Sequence, residues 1–132
     1  MATQADVPTL LWPCRQVVAA VSAGSAGVHA ALVPAHIDEH RAGLAVSFAV
    51  AAGLCALVAL TVRDPRHDRW APSASFLVLA GTAAAYLAAV TVGLPLLQPT
   101  PEETDLLGVL TTAAEAIGAV GSLILITGKD QS

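Results

Sequence analysis

Charge is scarce in this chain: six Lys and Arg and ten Asp and Glu occur among 132 residues, and none of them form a basic tract. Without such a tract the chain has no means of neutralising a nucleic-acid backbone, and nucleic-acid binding is excluded. Two cysteines, Cys14 and Cys55, stand in different segments and form no close-spaced pair, so they read as free, small, apolar residues. The apolar stretches lack two further patterns. Runs such as 49–60 show no alternation of polar and apolar residues, which excludes a β-barrel strand. They also lack a polar residue at every third or fourth position, which excludes a soluble amphipathic bundle.

What remains is apolar sequence in spanning lengths. Hydrophobic residues make up 55% of the chain and the mean hydropathy is +0.69. They fall in four blocks, 16–37, 42–62, 75–97 and 106–127. Each is about 21–23 residues, enough at ~1.5 Å per residue to cross a hydrocarbon core of about 30 Å. The chain therefore reads as an all-α integral membrane protein, a single membrane domain over 1–132 built as a four-helix antiparallel bundle. A cleavable signal peptide is the competing reading of the first block, but its apolar run has the length of a retained span. Ahead of it, Pro8, Trp12 and Pro13 suggest a short arm and an interfacial anchor before a helix entered at Arg15.

Arginine and lysine set the orientation. Arg15, Arg63, Arg66, Arg69 and Lys129 fall on one side of an alternating bundle, and only Arg41 on the other. The expectation is a multi-pass protein of the cell membrane with both termini cytoplasmic. The acids Asp38, Glu39, Glu102, Glu103 and Asp105 then face outward. Helix one is rich in small residues from Ala19 to Gly27, suited to close helix packing, and Pro34 is expected to bend its outer third. Helix two, with only Ser47 and Cys55 as polar features, reads as filler facing lipid. The segment 99–105, P-T-P-E-E-T-D, reads as a loop that caps helix four.

Three histidines, His29, His36 and His40, are separated by steps of 7 and 11, which return to within about 20° on a helix. They share one stripe. Glu115 lies ten residues beyond Asp105, roughly 15 Å along helix four and near mid-membrane, on a stripe of Gly108, Thr111, Thr112, Gly118 and Ser122. Ionisable groups at that depth must face protein or water. The expected arrangement packs helix one on helix four, bonds His29 to Glu115 and sets Tyr86 nearby. Such a cluster either fixes register as a structural hydrogen bond or handles protons or ions.

His36, Glu39 and His40 spell H-x-x-E-H, which resembles the inverzincin metalloprotease signature, where histidines bind zinc and the glutamate is the general base. The likeness covers those five residues, and the apolar blocks around them do not suit a soluble peptidase. Metal binding by His36, Glu39 and His40 without catalysis is the simpler expectation. A nitrogen and oxygen ligand set, with the only methionine at Met1, favours Zn²⁺ or Cu²⁺. A bis-histidine haem would need a second copy or a partner subunit, because the other three helices carry no histidine. His67 sits among loop charges and reads as solvated.

The stretch 28–40, V-H-A-A-L-V-P-A-H-I-D-E-H, resembles one near the start of uncharacterised small four-helix membrane proteins of high-GC actinobacteria. The likeness covers mainly helix one; it implies architecture and no activity. With no extramembrane domain to form a cleft, the leading expectation is a non-enzymatic membrane protein. It would be an accessory subunit of a larger complex or a homo-oligomer, with an outward His/Glu metal site. The alternative is a proton- or ion-handling element using His29 and Glu115, and an acid–base enzyme built on the same cluster has no motif behind it.

Overall fold

A computed structural model describes residues 7–39 and 41–128. Its elements are α1 (Val7–Asp38), α2 (Ala42–Thr61), a single 3₁₀ turn (Pro65–His67), α3 (Ala71–Thr91) and α4 (Leu106–Thr127). All four α-helices are long and apolar enough to cross a membrane. α1 packs most extensively on α2 across a tight turn, and α3 on α4, although the α3–α4 connection, residues 92–105, is longer than the short turn that the apolar blocks suggested. α1 also lies along α4, and this contact brings the polar residues of the two helices together.

Two boundaries differ from expectation. α1 starts at Val7 instead of near residue 16 and runs without interruption through Pro13 and Pro34. Both interior prolines, Pro13 and Pro34, lie within continuous helix. At 32 residues, or about 48 Å, α1 is longer than a hydrocarbon core is thick. α3 is displaced toward the N-terminus. It begins at Ala71 with Pro72 in its first turn, and it stops at Thr91 instead of near residue 97. Gly93 takes the left-handed conformation at φ 78°, and the N–H groups of Val92 and Gly93 both donate to the Ala88 carbonyl. A left-handed glycine of this kind ends a helix, and Pro95 prevents it from resuming.

The two ends of the bundle are held by charge. At the basic end, Arg15 makes a two-pronged ion pair with Asp68 (2.6 and 2.8 Å) and also donates to the Val62 carbonyl, clamping α1 to the connection after α2. At the acidic end, Arg41 bridges Glu39 and Glu102, tying the α1–α2 turn to the loop before α4. Asp105 caps α4 by accepting from the Gly108 N–H at 2.8 Å, the role its place in the sequence suggested.

Between these ends the apolar core lies toward the basic half. Val18 and Ala19 of α1, Val62, Leu79 of α3, and Ala119 and Leu125 of α4 form one buried cluster. The outer surface is equally apolar: Leu60, Leu77, Val92 and Ile117 are all exposed. A water-soluble domain does not leave so continuous an apolar surface uncovered.

Glycine sets the spacing of α4. A Cβ at Gly118 would stand 2.7 Å from Leu79 Cδ1 and 2.9 Å from Val21 Cγ1, whereas one at Gly53 on α2 would meet nothing within 4 Å. Gly118→Val should therefore lower the thermal unfolding midpoint in detergent by the equivalent of about 1–3 kcal/mol of overpacking. Gly53→Ala should leave the midpoint unchanged or raise it, since it stiffens the helix at no steric cost. Equal midpoints for the two variants would contradict this packing.

Candidate functional site: a buried carboxyl and the polar seam of α1

Glu115 is the one acidic side chain in the interior among the described residues, with 1% of its surface exposed. Ser25 of α1, itself buried, donates its hydroxyl proton to Glu115 Oε1 at 2.5 Å. That bond joins α1 to α4 in the middle of the apolar bundle. Cys55 of α2, fully buried, directs its thiol to the same serine oxygen at 3.6 Å. No lysine or arginine among the described residues forms an ion pair with Glu115.

His29 reaches this cluster through Ser25 and makes no direct bond to Glu115. Its Nδ1 lies 2.8 Å from the Ser25 carbonyl oxygen and 3.2 Å from Ser25 Oγ. A carbonyl oxygen only accepts, so Nδ1 carries the hydrogen and Nε2 keeps the lone pair of the neutral ring. His36, two turns nearer the acidic end, repeats the pattern with Nδ1 donating to the Leu32 carbonyl at 2.8 Å. Phe48 of α2 packs on both imidazoles, with ring centroids 5.6 Å from His29 and 4.6 Å from His36. α2, expected to be filler, supplies Phe48 and Cys55 and so forms one wall of the site. The donors therefore point in one direction: His29 Nδ1–H toward Ser25, and Ser25 O–H toward Glu115.

Tyr86 lies elsewhere. Its ring covers Gly108 and its hydroxyl approaches the Asp105 carbonyl at 3.5 Å, seven residues or about 10 Å along α4 from Glu115. Glu39 is engaged by Arg41, and His40 lies outside the described residues. Among the described residues no group of three His, Cys, Asp or Glu is arranged around a common point for a metal ion. Both cysteines are free thiols. A groove of about 440 Å³ between α1 and α4, walled by Val21, Gly24, Ser25, Val28, Leu110 and Thr111, opens on the flank of the bundle beside Ser25.

The residues missed by sequence reasoning share a signal that can be read in hindsight. Arg15, Ser22, His29 and His36 are spaced at seven, and Val18, Ser25 and Leu32 interleave at the 3–4 offset. A heptad seam of that kind faces one neighbour along its whole length. The histidine stripe is the outer half of a polar seam that begins at Arg15.

The chain matches no family model, no curated protein and no solved structure.

The serine is the keystone of this contact. Ser25→Ala should leave the buried carboxyl without its donor and lower stability by about 1–3 kcal/mol. Glu115→Gln keeps an acceptor oxygen for the serine and should cost less. Thermal unfolding of both variants in the same detergent checks the order, and a more stable Ser25→Ala would refute it.

Proposed function

We propose that this is a multi-pass protein of the cell membrane, with its basic end cytoplasmic, that handles protons through Glu115, Ser25 and His29. The observation that carries the reading is the donor chain ending on a fully buried carboxyl. An ionised side chain at bilayer depth costs from about 2.5 kcal/mol upward, and no lysine or arginine among the described residues pairs with Glu115 to offset it. A proton delivered to Oε1 removes that cost.

The chain of donors supplies a balanced route. The Ser25 hydroxyl hydrogen passes to Glu115 Oε1, and the His29 Nδ1 hydrogen turns from the Ser25 carbonyl to Ser25 Oγ, 3.2 Å from Nδ1, and passes to it. His29 Nε2 takes up a proton arriving from the acidic end, so the imidazole ends neutral in its other tautomer and the carboxyl ends neutral as well. His36 stands between His29 and the acidic surface, where a proton would enter. This role is non-enzymatic and fits an accessory subunit of a larger membrane assembly as well as a free-standing element.

The test is proton flux in lipid vesicles. Purified protein is reconstituted, a potassium diffusion potential is set with valinomycin, and lumenal pH is followed with a trapped dye. Wild-type protein should carry a potential-driven proton current, and Glu115→Gln should reduce it to the protein-free level. Equal flux from the two would overturn the reading.

A second reading is metal binding at the acidic end by His36, His40 and Glu39. One observation favours it: with Nδ1 held by the Leu32 carbonyl, His36 presents Nε2 as a ligand, the orientation that metal-binding histidines adopt. Glu39 would have to leave Arg41 to join the ion. Zinc titration of tag-free protein should then give about one ion per chain, lost in His36→Ala and retained in His29→Ala. Zinc uptake unaffected by His36→Ala would dismiss the site.

A further inference from the structure

Among the described residues four serines are buried, and three of them have hydrogen-bond partners. Ser75 donates to the Ala71 carbonyl and Ser122 to the Gly118 carbonyl, each one turn back on its own helix, while Ser25 donates to Glu115. Ser22 is the exception: it is 0% exposed and its Oγ has no hydrogen-bond partner among the described residues. A buried helical hydroxyl ordinarily bonds the carbonyl four residues back. Left unpaired, it bears the desolvation penalty of a buried hydroxyl with no bond in return.

The position of Ser22 gives that cost a meaning. It lies one turn from Ser25 toward the basic end, on the same heptad seam, at the i, i+3 separation that brings side chains within about 5–6 Å. Seven residues further, about 10 Å along the axis, the seam reaches Arg15 and its ion pair with Asp68. Between Ser22 and Arg15 the seam carries Val18, packed with Val62, Leu79 and Leu125 in the apolar cluster. From acidic to basic end the seam thus reads His36, Leu32, His29, Ser25 with Glu115, Ser22, the Val18 plug, and the Arg15 pair.

We propose that Ser22 is the proton-carrying station on the basic-end side of Glu115, and that Val18 is the barrier between it and the Arg15–Asp68 pair. The inference rests on the proton-handling reading and adds to it a second side of access. A protonated water admitted past Val18 gives its extra proton to Ser22 Oγ and leaves as neutral water, while Ser22 releases its own hydrogen to Ser25 Oγ as the Ser25 hydrogen passes to the Glu115 carboxylate. The serine is unchanged by the exchange, and a single proton moves. The reverse sequence discharges Glu115 to the basic end. Opening at Val18 is the step that converts a site reached from one side into a path across the bundle.

The vesicle assay tests this with three variants. Ser22→Ala should reduce the Glu115-dependent flux several-fold, and Ser22→Thr, which keeps a hydroxyl, should restore most of it. Val18→Ser, which removes bulk and adds a hydroxyl, should raise the flux several-fold, and adding Glu115→Gln should abolish that gain. Thermal unfolding supplies a second readout. If the Ser22 hydroxyl takes water, Ser22→Ala should leave the midpoint unchanged or lower it; a clearly raised midpoint would mark an idle, unpaired group and overturn the proposal. Flux that depends on Glu115 but ignores both Ser22 and Val18 sinks this inference and leaves the reading of Glu115 standing. No Glu115-dependent flux in the wild type sinks both.

Discussion

The bond between Ser25 and Glu115 is the constraint on which the rest of the arrangement depends. A carboxyl group inside an apolar bundle is tolerated only where a donor meets it, and the donor here comes from a different helix. That requirement fixes the register of α1 against α4 to within a fraction of a turn. It also explains why both helices are lined with small residues where they meet. Gly118 admits Val21 and Leu79, and a Cβ at Gly121 would stand 3.0 Å from Val18 Cγ2, so the backbones approach closely enough for a short serine side chain to reach Glu115. Van der Waals packing of this kind holds helices together where no hydrophobic drive acts between them. The polar bond selects one register among the many that small-residue faces would allow.

The architecture was legible in the sequence because it follows from length and hydropathy alone. Four apolar blocks of spanning length became four helices, and α2 and α4 begin where expected, at Ala42 and Leu106. The boundaries that shifted did so for local backbone reasons. Prolines that usually break helices sit inside α1, and one left-handed glycine ended α3 before its apolar run was exhausted. Hydropathy counts residues and is blind to φ, so neither shift was visible to it.

The site was legible only in outline. Glu115 and His29 were identified as anomalies, since an ionisable residue in an apolar block stands out whatever the fold. Their connection was not, because the intermediary is a serine, and serines in membrane helices are common and usually bond their own backbone. Tyr86 was drawn in on depth alone, and depth carries no information about azimuth. Its ring turned to Gly108, where the missing Cβ makes room for it. Phe48 and Cys55 were hidden for the opposite reason: each is apolar enough to pass as core, and only the packing of α2 on α1 gives them polar neighbours.

The asymmetry of the seam bears on what such a protein can do. A polar chain open at both ends would leak, and a buried carboxyl with no polar neighbours could neither load nor unload. Toward the acidic end the seam carries His29 and His36, both half-buried, with ring nitrogens available for exchange. Toward the basic end the buried apolar cluster closes over Val18, and beyond it the Arg15–Asp68 pair clamps α1 to the α2–α3 connection. Any motion that frees Val18 must work against that clamp, because both residues lie on the same face of α1 within a single turn of each other. The clamp and the plug therefore act as one unit. A two-pronged arginine–carboxylate pair is the stronger kind of ion pair, and because this one is only partly buried, at the end of the bundle, it remains open to screening by salt.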